Sequence, residues 1–187
     1  QFTLTATDAN RAMIRYSRQV TGKSKVLVMD YCYHGSVDET FATLDDQGSV
    51  VERRGNIGAP VEPEATTVVV PFNDVAALEK AFASGDIACA LVEPAMTNIG
   101  IVLPDEGWHE ALRELCTKHG AVLIIDETHT VCAGPGGMTL RDGLKPDAVV
   151  IGKTIAGGIP AGAYGMTGEL QQRVSASIHL EDIDVGG

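Results

Sequence analysis

Short apolar runs alternate with amphipathic stretches along this chain. Six runs rich in β-branched or small residues predict strands, at residues 25–30, 66–72, 88–94, 121–127, 147–153 and 161–166. Most of their apolar positions are continuous rather than alternating, which is typical of strands covered on both faces of a sheet.

Helical spacing fills much of the sequence between these runs. Apolar residues recur at i, i+3, i+4 and i+7 in three segments, Ala9 to Val20, Val75 to Phe82 and Trp108 to Leu115. Asn73-Asp74 is a start signal for the second segment, and Gly120 is a stop signal for the third. Strands that alternate with helices predict an α/β fold, with a mostly parallel sheet flanked by helices.

Residues 43–63 interrupt this alternation. They are rich in glycine, proline and charge, and they predict a long excursion over the surface or into an interface. The 187 residues as a whole are expected to form one domain, 1–187, that is the central part of a larger protein with no second domain inside it.

Composition narrows the classes of function. The chain is 44% hydrophobic and 21% charged, as in a soluble globular protein, and its apolar runs fall short of the ~20 residues that cross a bilayer. A net charge of -11 would repel a phosphate backbone, so a nucleic-acid partner is not expected. The four cysteines form no CxxC pair, which favours reduced thiols in a cytoplasmic protein over zinc ligands or disulfides. We therefore expect neither a membrane nor a metal as a partner.

Polar residues stand at the carboxyl ends of the predicted strands. Residues 30–34 stand at the end of the first strand, Glu93 lies at the end of the third, Asp126 and Glu127 end the fourth, and Lys153 ends the fifth. Ligands of open parallel sheets bind beyond these ends, so the sequence predicts a ligand site there.

Asp126 and Lys153 are charged residues at the ends of apolar strands, and each has more than one possible role. A carboxylate at the end of an apolar strand is costly to bury unless a cation or several donors meet it, so Asp126 is a site residue, a helix cap or half of a salt bridge. Lys153 ends the next strand, after a connection expected to contain no helix. It is either a surface lysine or a lysine buried in a glycine-lined site, where burial favours the neutral amine that Schiff-base chemistry needs.

A lysine and a carboxylate on adjacent strand ends suggest pyridoxal 5'-phosphate (PLP). This cofactor needs an amine for its aldehyde, an acid for its pyridine nitrogen, a stacking partner for its ring and an anion site for its phosphate. Tyr33 is the stacking candidate, with a core or rim tyrosine as the alternative. The start of the first helix, at Thr5 to Thr7, is the anion site, with an ordinary helix cap as the alternative.

Four motifs resemble those of class III aminotransferases, which are PLP enzymes of fold-type I. They are "YHG" at 33–35, "VEP" at 92–94, "IIDE" at 124–127 and "GKTIAGGIPAGAYG" at 152–165. Within that family, the sequence is most similar to the glutamate-1-semialdehyde aminomutase branch. The resemblance implies the large PLP-binding domain, a small-molecule amino or keto substrate and a homodimer.

The resemblance also implies roles for individual residues. Lys153 would form the Schiff base and Asp126 would partner the pyridine nitrogen, which makes them the catalytic pair. The residues implied to contact or surround the cofactor are Thr5, Ala6 and Thr7 around the phosphate, Tyr33 and Thr128 on the two ring faces, and His34, Glu93, Asn98 and His129 around the site.

Two departures from the family pattern concern the cofactor. The phosphate turn is usually Ser-Gly-Thr followed by Glu, whereas here Thr5-Ala6-Thr7 is followed by Asp8; the loss of glycine restricts the backbone. Thr128 stands where valine is usual.

His129 is a third departure, because it stands where relatives more often have glutamine or methionine. Its imidazole either hydrogen-bonds the phenolic oxygen of the cofactor or points elsewhere. The following residues, 130–137, lack the aromatic or arginine side chains common there, so recognition of a substrate carboxylate is left without a residue.

The expected activity is a PLP-dependent amino transfer between an amino acid or amine and a keto acid or aldehyde. The alternative within the family is intramolecular transfer, as in a glutamate-1-semialdehyde 2,1-aminomutase. Two other classes stay open: an NAD-binding doubly wound dehydrogenase, and a relative that binds PLP or a protein without turnover.

Overall fold

A computed structural model of the chain describes residues 1–58 and 61–177. Nine strands are β1 (Phe2–Thr3), β2 (Lys25–Met29), β3 (Ala42–Leu44), β4 (Val50–Glu52), β5 (Thr67–Val70), β6 (Ile87–Val92), β7 (Val122–Asp126), β8 (Ala148–Ile151) and β9 (Gly162–Met166). Six α-helices are α1 (Ala6–Thr21), α2 (Pro63–Thr66), α3 (Val75–Phe82), α4 (Trp108–His119), α5 (Gly137–Arg141) and α6 (Gly168–Ser177).

Seven strands form the main sheet, in the order β1-β9-β8-β7-β6-β2-β5. The five from β8 to β5 are parallel, which confirms the predicted α/β class. β9 is antiparallel to β8, and β1 is antiparallel to β9. The residues between β8 and β9 hold one 3₁₀ turn and no crossover helix, and a parallel return needs such a crossover.

The core lies along the centre of the sheet. Every residue of β6 and β7 is buried, as their continuous apolar sequences predict. α1 crosses the sheet with Met13 and Ile14 buried against it, and each such side chain contributes about 1.5–3 kcal/mol. This packing fixes the start of α1 beside the carboxyl ends of the strands.

The predicted excursion at 43–63 contains a hairpin, within residues 42–52, that the sequence did not predict. β3 and β4 form an antiparallel hairpin, with Thr43 opposite Val51. The turn is held by the Asp45 carboxylate, which accepts hydrogen bonds from the backbone N–H groups of Gln47 and Ser49. Thr43, Val50 and Val51 are β-branched residues that favour strands, and the Asp45 side chain closes the turn between them.

The prediction of a helix-free connection between Asp126 and Lys153 is wrong. A 3₁₀ turn (Val131–Ala133) and α5 lie in it. The Glu127 carboxylate accepts hydrogen bonds from the backbone N–H groups of Met138 and Thr139, and so caps the start of α5. Because this cap comes from ten or more residues earlier, no local start signal marks the helix.

A further helix, α6, was not predicted. Its buried residues, Leu170 and Val174, are only one i, i+4 pair, too few for a periodic pattern. Within 1–58 and 61–177, no helix combines the length and apolar character that a membrane crossing requires.

Candidate active site

One cavity of about 400 Å³ lies at the carboxyl ends of the central strands and the start of α1. Ten of the eleven predicted site residues line it, namely Thr5, Ala6, Thr7, Tyr33, His34, Glu93, Asp126, Thr128, His129 and Lys153. The eleventh, Asn98, lines a neighbouring cavity that shares Tyr33. The structure thus assembles the predicted residues in one place, as expected for strand ends that meet at one edge of a sheet.

Asp126, the last residue of β7, is held by three donors. Its Oδ2 lies 2.8 Å from His34 Nδ1 and accepts a hydrogen bond from Asn10 Nδ2 at 2.9 Å. Its Oδ1 accepts from the Thr128 backbone N–H at 3.0 Å. The carboxylate is 4% exposed, so these contacts replace the water it loses on folding.

Asp126 and His34 form a buried ion pair. Burial opposes charge on Asp126, but the hydrogen bond and charge of His34, with those from Thr128 and Asn10, outweigh it and lower the pKa of Asp126 to about 2. Burial likewise opposes charge on His34, but Cys32 and the Asp126 carboxylate outweigh it and raise the pKa of His34 to about 10. Asp126 is therefore an anion and His34 a cation at neutral pH.

Asn10 is a site residue that the sequence did not reveal. It lies on the buried face of α1, fully enclosed, and also donates to the backbone carbonyl of His34 at 3.1 Å. The available signal was a polar residue beside Ala9, on the stripe that packs on the sheet. A buried amide needs partners, which points to a polar group beneath the helix.

Three buried polar atoms of the lining have no hydrogen-bond partner among the described residues. They are His34 Nε2, Glu93 Oε1 and Thr128 Oγ1. A buried polar group that stays unpaired costs about 1–3 kcal/mol. The cavity is therefore suited to a ligand that carries both donors and acceptors.

The start of α1 forms one wall of the cavity. Thr5 caps the helix, accepting from the Asp8 backbone N–H at 3.1 Å, and the N–H groups of Ala6 and Thr7 are among the donors that a helix start leaves free. This end of the helix attracts anions.

Two glycines let the chain approach this wall closely. Gly35 has a φ of +80°, and a Cβ there would lie 2.0 Å from Thr7 Oγ1. A Cβ on Gly162 would lie 2.4 Å from the Thr5 carbonyl. The helix start is therefore pressed against the "YHG" turn and β9, and the wall has a fixed shape.

Lys153 follows β8 after one residue, Gly152, at which a Cβ would lie 2.8 Å from that of Ala6. β8 pairs with β7, with Asp126 opposite Val150, so the predicted adjacency of the two strand ends is confirmed. Of the two alternatives for Lys153, the structure shows the exposed one, although the residue lines the cavity. The turn that carries it lies at the open mouth, followed by exposed residues 157–160.

The backbone of Lys153 is strained. Its φ is +50°, in the left-handed region that costs a residue with a Cβ about 1–2 kcal/mol. Such strain is frequent where a side chain has to be aimed at a ligand.

A hydrogen-bonded chain links Glu93, Thr97 and His129. The Thr97 hydroxyl contacts both Glu93 Oε2 and His129 Nδ1, and the imidazole nitrogen lies 3.9 Å from Glu93 Oε2. Burial raises the pKa of Glu93, although the hydrogen bond with Thr97 opposes it. His129 thus lines the cavity instead of pointing elsewhere, and Thr97 is a second site residue that the sequence did not reveal.

Comparisons with known proteins identify relatives of this site and fold. The family model for class-III aminotransferases matches residues 2–180. A glutamate-1-semialdehyde 2,1-aminomutase from Nitratidesulfovibrio vulgaris strain Miyazaki F is 42% identical over 175 residues, which are 90% of this chain and 40% of that protein.

Solved structures give the same result. A glutamate-1-semialdehyde-aminomutase from Pseudomonas aeruginosa, of which a variant was solved in complex with PMP, is 48% identical with a TM-score of 0.93, over 95% of this chain and 39% of that one. A transaminase with PLP bound is 33% identical with a TM-score of 0.80, over 96% of this chain and 42% of that one. The chain thus spans about two fifths of the length of these proteins.

Proposed function

Because this chain belongs to the class III aminotransferase family, we propose that it is the cofactor-binding part of a PLP-dependent enzyme that transfers amino groups. The substrates would be an amino acid or amine and a keto acid or aldehyde. The observation that carries the proposal is the single cavity on which Lys153, the His34–Asp126 pair and the start of α1 converge.

The residues fit PLP group by group. The free N–H groups of Ala6 and Thr7 and the Thr7 hydroxyl would hold the phosphate at the turn that Thr5 caps, since the Thr5 hydroxyl itself donates to the Asp8 carboxylate at 2.8 Å. Asp126 Oδ1 accepts one hydrogen bond from the protein, so a lone pair is left for the protonated pyridine nitrogen. Tyr33 and Thr128, which line the cavity, would cover the two ring faces, and Lys153 would hold the aldehyde.

When bound, PLP supplies an aldehyde that condenses with amines and a ring that withdraws electrons from the substrate carbon. Asp126 contributes a permanent negative charge, because its ion pair with His34 keeps it ionised through neutral pH. Lys153 has the mobile amine that moves a proton to and from the substrate carbon. The buried Asn10 prevents the Asp126 carboxylate from rotating.

The test uses the full-length protein mixed with PLP. We expect a visible absorbance band at a longer wavelength than that of free PLP. The band should disappear when an amine donor is added and return when a keto acid is added. Lys153→Ala removes the band change, whereas Lys145→Ala, at a lysine remote from the cavity, retains it. A Lys153→Ala protein with unaltered half-reactions would refute the proposal, and a wild type that binds PLP without half-reactions would indicate a relative without turnover.

Intramolecular amino transfer is a second candidate, favoured by the aminomutase names of the similar proteins. It shares its half-reactions with a transaminase and differs in whether the intermediate leaves. Isomerisation of an amino-aldehyde without added keto acid would support it; a strict requirement for a keto acid would support the transaminase.

The glycine-rich segment does not support the alternative of an NAD-binding dehydrogenase. The glycines at 157–165 follow a 3₁₀ turn and lead into the antiparallel β9, whereas a dinucleotide fingerprint leads from a strand into a helix. Family membership gives the same answer.

We also propose that the protein is a homodimer of the cytoplasm. Lys153 and Tyr33 are exposed in the single chain, so a partner surface can complete the cavity. All four cysteines are free, and three of them are buried. Sedimentation of the full-length protein at twice the monomer mass, and its recovery in the cytoplasmic fraction, would support these two proposals; a monomer or a secreted protein would contradict them.

A further inference from the structure

The hydrogen-bonded chain of Glu93, Thr97 and His129 connects the interior of the protein to the candidate active site. Glu93 directly follows β6 and is 5% exposed, whereas His129 lies in the turn after β7 with 36% of its side chain exposed. Thr97 lies between them, with its hydroxyl in contact with Glu93 Oε2 and His129 Nδ1. A buried carboxyl group is thus linked to an imidazole that lines the cavity.

Backbone contacts hold both loops that carry this chain. Thr97 directly follows a bridge in which Met96 and Val102 exchange backbone hydrogen bonds at 3.0 Å and 2.9 Å. In the other loop, the Cys132 thiol donates to the His129 carbonyl at 3.3 Å. The three side chains are therefore presented to one another by turns of fixed shape.

The Thr97 hydroxyl has one hydrogen and two partners, so it donates to only one of them. If Glu93 carries a proton, it donates to Thr97, Thr97 donates to His129 Nδ1, and the neutral imidazole has its proton on Nε2. If Glu93 is ionised, Thr97 donates to it, and the neutral imidazole donates from Nδ1. The proton on the buried carboxyl group thus decides whether His129 donates or accepts at Nε2.

The two ends of the chain are suited to hold and to release a proton. Glu93 Oε1 is buried without a partner among the described residues, so a proton is favoured on Oε2, which faces Thr97. Burial raises the pKa of Glu93, although the hydrogen bond with Thr97 and the charge of His34 oppose it. At the other end, His129 Nε2 has no hydrogen-bond partner in 1–58 or 61–177, and a ligand in the cavity can contact it.

We propose that Glu93, Thr97 and His129 form a proton relay, in which His129 is the acid that protonates the substrate oxygen that leaves as water. The inference rests on the proposed function, in which an amine replaces a carbonyl oxygen once in each full turnover. This proton is distinct from the one that Lys153 moves at the substrate carbon. The other charged groups that line the cavity, His34 and Asp126, are paired with each other.

In the condensation step, one proton leaves the relay. The Nε2 proton moves to the hydroxyl oxygen of the substrate, the Thr97 proton moves to Nδ1, and the Glu93 proton moves to the Thr97 oxygen. The C–O bond breaks with its electron pair on the departing water, and the lone pair of the amine nitrogen forms the C=N bond.

The other half of the turnover returns this proton. Water adds to the carbon of a C=N bond, the electron pair of that bond moves to nitrogen, and a proton of the water moves to Nε2. The transfers within the relay then run backwards and reload Glu93. The imidazole is neutral before and after each step, so it needs no counter-charge.

The first experiment determines the state of His129 in the full-length protein before PLP is added. Diethyl pyrocarbonate modifies a ring nitrogen whose lone pair is free, and mass spectrometry at pH 8 gives the rate at His129 relative to His119 on α4. Glu93→Met removes one acceptor of the Thr97 hydroxyl, which then donates to Nδ1 and leaves the imidazole proton on Nε2. Modification of His129 should slow about fivefold, the ratio that one hydrogen bond is worth.

Two substitutions of Thr97 are the matched controls. Thr97→Val keeps the shape of the side chain without its hydroxyl, and Glu93→Met combined with it should no longer change the modification of His129. Thr97→Ser keeps the hydroxyl and should preserve the effect. If Glu93→Met has no effect with threonine at 97, or an equal effect with valine there, the relay is overturned.

The second experiment measures the step itself in the full-length holoenzyme. After reaction with an amine donor, the enzyme is mixed with pyruvate or 2-oxoglutarate, whichever restores the absorbance band faster. Thr97→Val should slow this return by about 10-fold to 100-fold, and Thr97→Ser should slow it less. In mixtures of H2O and D2O, the rate of the wild type should depend on the deuterium fraction along a curve, because several protons move together, and that of Thr97→Val along a straight line.

The outcomes separate this inference from the proposed function. A Thr97→Val enzyme with the rate and the curved deuterium dependence of the wild type would overturn the role of the relay in catalysis. Amino transfer by the wild type would be unaffected by that result. A wild type that reacts with neither keto acid would instead count against the proposed function, and the modification of His129 would still decide whether the relay exists.

Discussion

The two sides of the cavity differ in how completely the chain itself builds them. On one side Asp126, His34 and Asn10 are buried and bonded to one another. On the other side Lys153 is exposed on a strained turn that leads into exposed residues. The chain thus fixes the charged pair of the site by its own packing, and it leaves the Lys153 amine accessible. A ligand that condenses with an amine needs such access, while one that must keep a proton on its ring needs the fixed anion.

Removal of the Asp126 charge should have the largest effect on the stability of the buried pair. Asp126→Asn leaves the buried His34 without a counter-charge, and breaking a buried pair in this way costs about 3–5 kcal/mol of unfolding free energy. Urea denaturation of the full-length protein measures it. Asp142→Asn, at an exposed pair with Arg141, is the control and should change little. A loss at Asp126 no larger than at Asp142 would contradict the buried pair.

The stabilisation that the His34–Asp126 pair provides should be lost at both high and low pH. The pKa of His34 is raised to about 10 from 6.5, so its stabilisation is complete below pH 6.5 and lost as the pH rises through about 10. The pKa of Asp126 is lowered to about 2 from 3.8, so its stabilisation is complete above pH 3.8 and lost as the pH falls through about 2.

The His34→Gln variant gives the measurement of this dependence. The difference in Tm between wild type and His34→Gln should be large at pH 6 and should shrink steadily towards pH 10. A difference that is constant over this range would show that His34 is not charged in the folded protein.

Loss of Asn10 should be the next effect in size. Asn10→Ala leaves Asp126 and the His34 carbonyl each without one donor, and a buried group deprived of its partner costs about 1–3 kcal/mol. Chemical denaturation is the measurement, and Arg15→Ala, on the exposed face of the same helix, is the matched variant. Equal stability of the two variants would show that Asn10 contributes no more than a surface residue.

The smallest predicted effect concerns the strained turn at Lys153. Here one substitution, by glycine, should relieve strain and so favour the folded protein. Glycine adopts a φ of +50° without the penalty that alanine has. Lys153→Gly should therefore be more stable to urea than Lys153→Ala by about 1 kcal/mol. Both variants lack the amine, so the comparison isolates the backbone. A Lys153→Ala protein as stable as Lys153→Gly would mean that the turn stores no strain.

What could be predicted from the sequence follows the same division. β6 and β7 were predictable because strands buried on both faces have an unbroken apolar sequence. The helices α1, α3 and α4 were predictable because one face of each is apolar and packs on the rest of the protein. α5 was missed because its cap, Glu127, acts across ten residues.

The site divides similarly. Asp126 and Lys153 were visible as polar ends of apolar strands. Asn10 and Thr97 were not, because their roles depend on partners that are distant along the chain or belong to a loop, such as Asp126 for Asn10. The exposure of Lys153 was also beyond the sequence, since the motif around it does not show which other surfaces cover the cavity.

The central claim is that Lys153 is the amine that binds the cofactor's aldehyde, and one measurement tests it most directly. The full-length protein is mixed with PLP, reduced with borohydride and digested, and the peptides are sequenced by mass spectrometry. The account predicts a stable pyridoxyl label on Lys153, absent when Lys153 is replaced by alanine. A label on another lysine, or none under conditions in which PLP binds, would contradict it.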